Sequence, residues 1–289
     1  MKKPDLTVGI SFKNPGPHFA LALQSVFAQS FTNWELLLLD DGSTDGSLEF
    51  AQTLRDPRVH VYTDGVCKGL SVRLNELVSL ATGRYFVRMD ADDAMHPNRL
   101  IRQLDSLEKN GRSTVIGSAA YSIDENSSVI GFRPAASGQK MGFSARHSFH
   151  HPTVAAPVGW FRQNPYSERS VYSRAEDAEL WCRTSHHTSF RSLSEPLLFY
   201  RENGTSSFGS YLGSEFGILH LLWEQHRQPF VSYSVQASTE LLKLWFALIC
   251  EGMGKGRWMD RHRYQRLQPG DLKEANAALE LVKNQPLPQ

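Results

Sequence analysis

Three aspartates, Asp90, Asp92 and Asp93, stand within four residues in FVRMDADDAMHP, directly after the apolar run GRYFVRM. Like charges this close raise one another's pKa and oppose folding unless a cation or a ring of donors offsets them. The group is therefore either a solvated turn at a strand end or a cation site. Hard carboxylate oxygens suit Mg²⁺ or Mn²⁺ bound jointly with a phosphate-bearing molecule. A second acidic pair, Asp40 and Asp41, closes the run WELLLL, and a third, Glu176 and Asp177, opens AELWCR. A carboxylate such as Asp177 can take the proton of an attacking hydroxyl. The competing reading of that pair is a helix's first turn, where the dipole favours acids. Neither GxxxxGK[ST] nor GxGxxG occurs, so the usual phosphate-loop and dinucleotide signatures do not apply. DGSTDG (Asp41 to Gly46) has an EF-hand spacing at first, but Gln52 stands where the bidentate glutamate belongs and an apolar strand precedes it.

The elements that must position these acids alternate in kind. LTVGISF, WELLLLD, RVHVYTD and RYFVRM read as strands; runs that are apolar throughout suit a parallel sheet covered on both faces. HFALALQSVFAQS, DGSLEFAQTLRD, LSVRLNELVSLATG and HPNRLIRQLDSLEKNG read as helices. The second of these should open on Ser/Thr/Asp caps from Ser43, Thr44 or Asp45, and the third should end at Gly83. This order over about 110 residues predicts an α/β doubly wound, mostly parallel sheet. Ligands of such sheets sit beyond the carboxyl ends of the strands. Asp40, Asp41, Asp90, Asp92 and Asp93 then share one rim with the Ser11–Asn14 end of the first strand.

The bulk properties narrow the classes. The 289 residues carry a formal net charge of +1, with 40% apolar and 21% charged residues, so a generic nucleic-acid binder is not indicated. Cys67, Cys182 and Cys250 are too scattered for a disulfide framework or a zinc site and suggest a reducing compartment. MKKPDLTVGISF is too soon broken to act as a signal peptide, and no stretch approaches the roughly 18 apolar residues of a membrane span. A cytoplasmic protein is expected.

WELLLLDDGSTDGS, then CKGLSVRLNELVSLATGRYFVRMDADD, then AEDAELWCR, resemble the family 2 glycosyltransferases of the GT-A fold, in order and over roughly residues 5 to 205. The resemblance implies inverting, metal-dependent transfer from a nucleotide-sugar, with a UDP-sugar as the expected donor and Mn²⁺ or Mg²⁺ as cofactor. Residue by residue, it implies Asp40 and Asp41 beside the nucleotide, with Asp41 on the uracil or ribose. Asp92 would ligate the metal, and Asp90 would hold the ribose or a water of the metal. Asp93 would assist or orient the acceptor. Lys68 and Arg73 would face the donor, Asn75 would brace their loop, and Asp177 would be the catalytic base. Ser11 and Lys13 depart from the family's usual first strand; Ser11 keeps a hydrogen bond for the base edge, and Lys13 reaches a phosphate or stays solvated. His151 (of the pair His150–His151), Glu176 and Arg201 fall on the acceptor side or behind the acids. A satisfied structural histidine competes with the first of these readings.

Residues 1–205 are thus expected to form the catalytic domain and 206–289 a helical extension. ENGTSSFGSYLG reads as a loop able to fold over substrate, and SEFGILHLLWEQHRQ and STELLKLWFALICEGMGKGRW as helices. Three occupants compete for their apolar faces: the catalytic domain, a second subunit in a homodimer, or a membrane surface contacted peripherally near Trp245, Phe246, Lys255 and Arg257. The processive members' QxxRW motif is absent, so transfer of one sugar to a saccharide or lipid-linked saccharide is expected. The alternative is a non-catalytic relative that binds nucleotide-sugar or glycan as a scaffold.

Overall fold

The computed structural model describes residues 3–111, 113–135, 149–202, 208–224 and 264–289, with the single positions 238 and 241. Strand β1 (Leu6–Phe12) pairs in parallel with β2 (Trp34–Asp40) and with β4 (Tyr85–Arg88), and β2 pairs in parallel with β3 (Val59–Tyr62). Every residue of β2 is buried because both faces are covered. Leu36 and Leu38 enter one core with Leu6, Val8 and Ile10, while Leu37 and Leu39 enter the opposite core with Leu74, Leu77 and Phe86. The four-leucine run is that two-sided burial read along the chain. Helices α1 (Phe19–Phe27), α2 (Ser47–Gln52), α3 (Leu70–Leu80) and α4 (Arg99–Asn110) alternate with these strands.

The other half of the sheet is mixed rather than parallel. A two-residue strand β5 (Ala94–Met95) follows the acidic loop, then β6 (Thr114–Ile123), β7 (Val129–Arg133), β8 (Ala155–Pro157) and β9 (Ser189–Arg201). The order is β3-β2-β1-β4-β8-β6-β9-β5, with β7 paired to β6. β8 is antiparallel to both β4 and β6, while β6 and β9 are parallel. Strand direction there depends on partners far away in sequence, which local apolar patterning does not report.

Three local expectations change in the structure. Helix α3 ends at Leu80, with Ala81 already extended, and Gly83 serves the next strand instead. A Cβ on Gly83 would lie 2.8 Å from the Thr7 backbone nitrogen, so the glycine is there for close approach of two chains. Its N–H donates to Thr7 Oγ1 (3.0 Å) and to Glu35 Oε1 (3.2 Å). Helix α2 is entered through Gly46, and of the three capping candidates only Asp45 accepts from a helix N–H, that of Ser47 at 3.1 Å. The stretch read as a loop at 202–213 is helical from Phe208: α7 (Phe208–Glu224) begins six residues before the predicted helix.

Helix α5 (Val158–Gln163) and helix α6 (Glu176–Thr184) complete the core on the α3 side, where Trp160, Phe161 and Trp181 are buried. Leu221 and Leu222 of α7 pack against Tyr172, Ala175 and Ala178 at the start of α6. A last helix, α8 (Pro269–Lys283), buries Ala275, Ala278, Leu279 and Val282 against Leu21, Tyr121, Ile123 and Phe199. The helix expected over STELLKLWFALICEGMGKGRW, with its membrane or subunit contacts, lies outside the described residues apart from positions 238 and 241. No helix among the described residues is long and apolar enough to cross a membrane.

Candidate active site

The carboxyl ends of β1, β2 and β4 emerge on one edge because the three strands are parallel and adjacent. Beyond β1 and β4 lies an open cavity of about 330 Å³, lined by Ser11, Phe12, Lys13, Asn14, Pro15, His18, Asp90, Ala91 and Asp92. One wall carries hydroxyl, amide, ammonium and imidazole groups, and the other carries two carboxylates. Asp90, Asp92 and Asp93 each offer an oxygen within 4.8 Å of the others'. Asp93 is buried; its Oδ1 accepts from the Arg201 backbone N–H (2.8 Å), and its Oδ2 has no hydrogen-bond partner among the described residues. An orphaned buried carboxylate oxygen beside two more acids is a donor set that fits a hard divalent ion. Burial, with the charges of Asp92 and Asp90 behind it, pushes the Asp93 carboxyl well above the usual carboxylate range.

Asp40 and Asp41 share the rim but spend their oxygens on the protein. Asp40 (1% exposed) accepts from the N–H groups of Gly42 and Ser43 at 3.1 and 2.9 Å and from Thr63 Oγ1 at 3.0 Å. Asp41 accepts from the N–H of Lys68 (2.7 Å), the N–H of Gly69 (3.1 Å) and Arg73 Nε (2.9 Å). Burial works against these bonds, yet they hold its carboxyl below the ordinary value. Gly69 makes the turn possible, at φ +87°. Arg73, fully buried, also donates to Asp64 (2.6 Å) and Glu76 (2.7 Å), and Lys68 Nζ pairs with the same two acids at 2.7 Å. The structure thus places Asp41, Lys68 and Arg73 in one ion network that shapes the 64–69 loop. Lys13 reaches that loop from β1, its Nζ 3.0 Å from Cys67 Sγ. Asn75 does not brace this loop: its amide bonds the Tyr166 backbone on both sides and Glu168.

Glu176 and Asp177 form the first turn of α6, whose Leu180 and Trp181 are buried in the same core as Phe86 of β4 and Ala156 of β8. Asp177 is half-buried, and its Oδ1 accepts from the Ala178 N–H at 2.8 Å. Burial raises its pKa, and Arg88 partly offsets this. Its charge helps to raise Asp90, which burial raises first and Arg88 pulls back. Glu176 is pushed up to about 8 by burial and then by Asp177. His151 lies behind this pair, its Nδ1 3.8 Å from Glu176 Oε1 and its Nε2 2.9 Å from the Tyr166 hydroxyl. Burial, with Arg88 adding to it, holds that imidazole neutral, its pKa well below the usual histidine range. His150 turns the other way, toward the Pro134 carbonyl at 3.3 Å.

Arg201, at the end of β9, is 2% exposed and donates through Nε to the Asp92 carbonyl (2.8 Å). Its Nη1 donates to the Asp124 carbonyl (2.6 Å) and its Nη2 to Ser127 Oγ (2.9 Å). The arginine therefore clasps the backbone of the acidic loop to the β6–β7 turn. Sequence reasoning missed Arg88, Arg99, Tyr166 and His18. A cation inside the apolar strand YFVR was the available signal for the first, since arginine is almost never fully buried without a partner. His18, at the head of the predicted helix HFALALQSVFAQS, carried none.

A family model for glycosyl transferase family 2 matches residues 7–162. The chain belongs to glycosyl transferase family 2. This family 2 chain is 33% identical over 207 residues to EpsE of Bacillus subtilis (strain 168), a protein named as a glycosyltransferase; the match covers 69% of this chain and 74% of that one. It is 33% identical over 110 residues to WfgD of Escherichia coli, named as a UDP-Glc:alpha-D-GlcNAc-diphosphoundecaprenol beta-1,3-glucosyltransferase, covering 38% of this chain and 43% of that one. Among solved structures, TarS of S. aureus superposes with a TM-score of 0.61 at 16% identity, over 84% of this chain and 44% of that chain. The mannosyltransferase PcManGT of Pyrobaculum calidifontis, in complex with GDP-Man and Mn²⁺, superposes at 0.58 and 13% identity, over 98% and 86%. At such identities the likeness is one of fold, and the fold is GT-A.

Proposed function

We propose that this family 2 glycosyltransferase moves a single sugar, with inversion, from a UDP-sugar to a hydroxyl of a saccharide or lipid-linked saccharide, at the cytoplasmic side of polysaccharide assembly. The observation that carries the reading is the placement of Asp90 and Asp92 opposite Ser11–His18 in one cavity, with the raised carboxyl of Asp177 close enough to act on Asp90's charge. UDP-Glc stands in the name of WfgD, and a TarS fragment was solved with UDP-GlcNAc. The GDP-Man complex of PcManGT makes GDP the natural comparator.

In this reading Asp92, with Asp90 and Asp93 around it, would hold the divalent ion. Bound there, it would supply Lewis-acid stabilisation of charge on the leaving diphosphate. Ser11 and Asn14 orient the nucleotide across the cavity, and Lys13 lies within reach of its phosphates. Asp177 takes the acceptor's proton as the hydroxyl oxygen attacks the anomeric carbon from the face opposite the diphosphate. One C–O bond forms, the anomeric C–O bond to phosphate breaks, and its electron pair leaves with UDP. A general base of this kind typically contributes about 10²- to 10⁴-fold in rate. Burial helps here, because a carboxylate of raised pKa is the stronger base.

The test is UDP binding by calorimetry with Mn²⁺, with EDTA and with Asp92→Ala, against GDP and TDP. Binding that needs both the metal and Asp92 and prefers UDP supports the donor site. Weak, metal-independent binding of all three nucleotides would move the reading to a non-catalytic scaffold.

A further inference from the structure

Arg88 is the last residue of β4 and only 2% exposed, yet it sits two residues from the cavity wall. Its backbone is fixed from both sides: the N–H donates to the Val154 carbonyl (2.9 Å), and its own carbonyl accepts from Arg99 Nη2 (2.7 Å). The side chain donates from Nη2 to Asp90 Oδ1 at 2.6 Å. Its Nε and Nη1 have no hydrogen-bond partner among the described residues, and neither does Glu176 Oε2. The charges of Asp90, Glu176 and Asp93 all bear on this one guanidinium.

Stability does not account for the residue. A buried ion pair seldom improves on a well-packed apolar side chain, and unpaired buried N–H groups add a further cost. Arg88 does not line the cavity, whereas Asp90 does, so the guanidinium meets Asp90 from the closed side of the acidic loop. A carboxylate tied through one oxygen by a charge-assisted bond to a buried, backbone-anchored guanidinium leaves its other oxygen free for the cavity side.

We propose that Arg88 is a positioning residue for sugar transfer, which holds the Asp90 carboxylate toward the cavity. The inference rests on reading the cavity as the donor site.

The experiment compares full-length wild type with Arg88→Met, Arg88→Gln and Arg88→Lys. It reads thermal midpoint, release of UDP from UDP-glucose and UDP-GlcNAc with Mn²⁺, and crystal structures. Expected are midpoints for the two neutral variants no lower than wild type, a kcat about 100-fold down with donor KM within threefold, and at least tenfold recovery in Arg88→Lys. In the crystals of the neutral variants the Asp90 carboxylate should turn away from its wild-type position. The proposal is overturned if Asp90 does not move, if kcat stays within threefold of wild type, or if both neutral variants unfold while Arg88→Lys is intact, which would make the residue structural. If wild type itself releases no UDP from either sugar, the donor reading fails; the position of Asp90 in the crystals still decides the role of Arg88.

Discussion

At the scale of single residues, the centre is ruled by how little water reaches its charges. Glu176 is the clearest case: its carboxyl, ordinarily near 4.5, is pushed up to about 8. The folded pKa exceeds the unfolded one, so the fold favours the protonated form. Its contribution is complete below about 4.5 and is lost as the pH rises through 8. His151 works in the other direction, since burial keeps it neutral and the fold loses stability as pH drops below about 6.5. Urea midpoints should therefore decline between pH 6 and pH 9 in the wild type, and Glu176→Gln should remove much of that decline. A second prediction concerns Asp177. Asp177→Asn should leave UDP affinity within a few-fold by calorimetry and lower kcat about 10²- to 10⁴-fold in a UDP-release assay. An equal loss of binding would place Asp177 in the donor site rather than at the acceptor.

At the scale of elements, joints matter more than the elements they join. The α3–β4 joint passes so close to β1 that a methyl group on Gly83 would press on backbone atoms of Leu6 and Thr7 at 2.9 and 2.8 Å. Backbone cannot give way as a side-chain tip can. Gly83→Ala should cost about 1–3 kcal/mol in chemical denaturation, with UDP affinity little changed, because the acids at the opposite end of β1 are untouched. The 64–69 loop is the counterpart at the functional edge. Removing the buried Arg73 would strand Asp41 without its cation, so Arg73→Ala should destabilise by about 3–5 kcal/mol. Here UDP binding should weaken as well, since the loop that Arg73 folds borders the cavity rim.

At the scale of the molecule, the parallel half of the sheet borders the cavity, while Asp177 and Arg201 come from the chain after it, on α6 and β9. Helix α8 closes the far side of the core, about 250 residues in sequence from the helix α1 residue Leu21 that it covers. Leu279 is 1% exposed there, and Leu279→Ala should cost about 2–5 kcal/mol by thermal or urea unfolding, leaving the donor site's affinity as it was. A selective loss of UDP binding in that variant would mean that α8 acts on the site as well as on the core.

The sequence by itself determined the alternation of strands and helices through Asn110, the shared edge of the two aspartate clusters, and the identity of the acids. Each is a consequence of local patterning: both-face burial makes a strand continuously apolar, and parallel order puts strand ends together. What followed Gly111 was decided only in three dimensions. Thr114–Ile123 and Ser189–Arg201 become central strands because each finds the other across 75 residues, and β8 runs antiparallel between β4 and β6. The same holds for the roles of charged side chains. Asp41, Lys68, Arg73 and Arg201 are ordinary polar letters in the sequence, and their partners are backbone and side chains that only the folded chain brings within 3 Å. Arg88 stands at that boundary: a cation in an apolar strand is visible in the sequence, but which carboxylate it holds follows from burial, where an unpaired charge costs most.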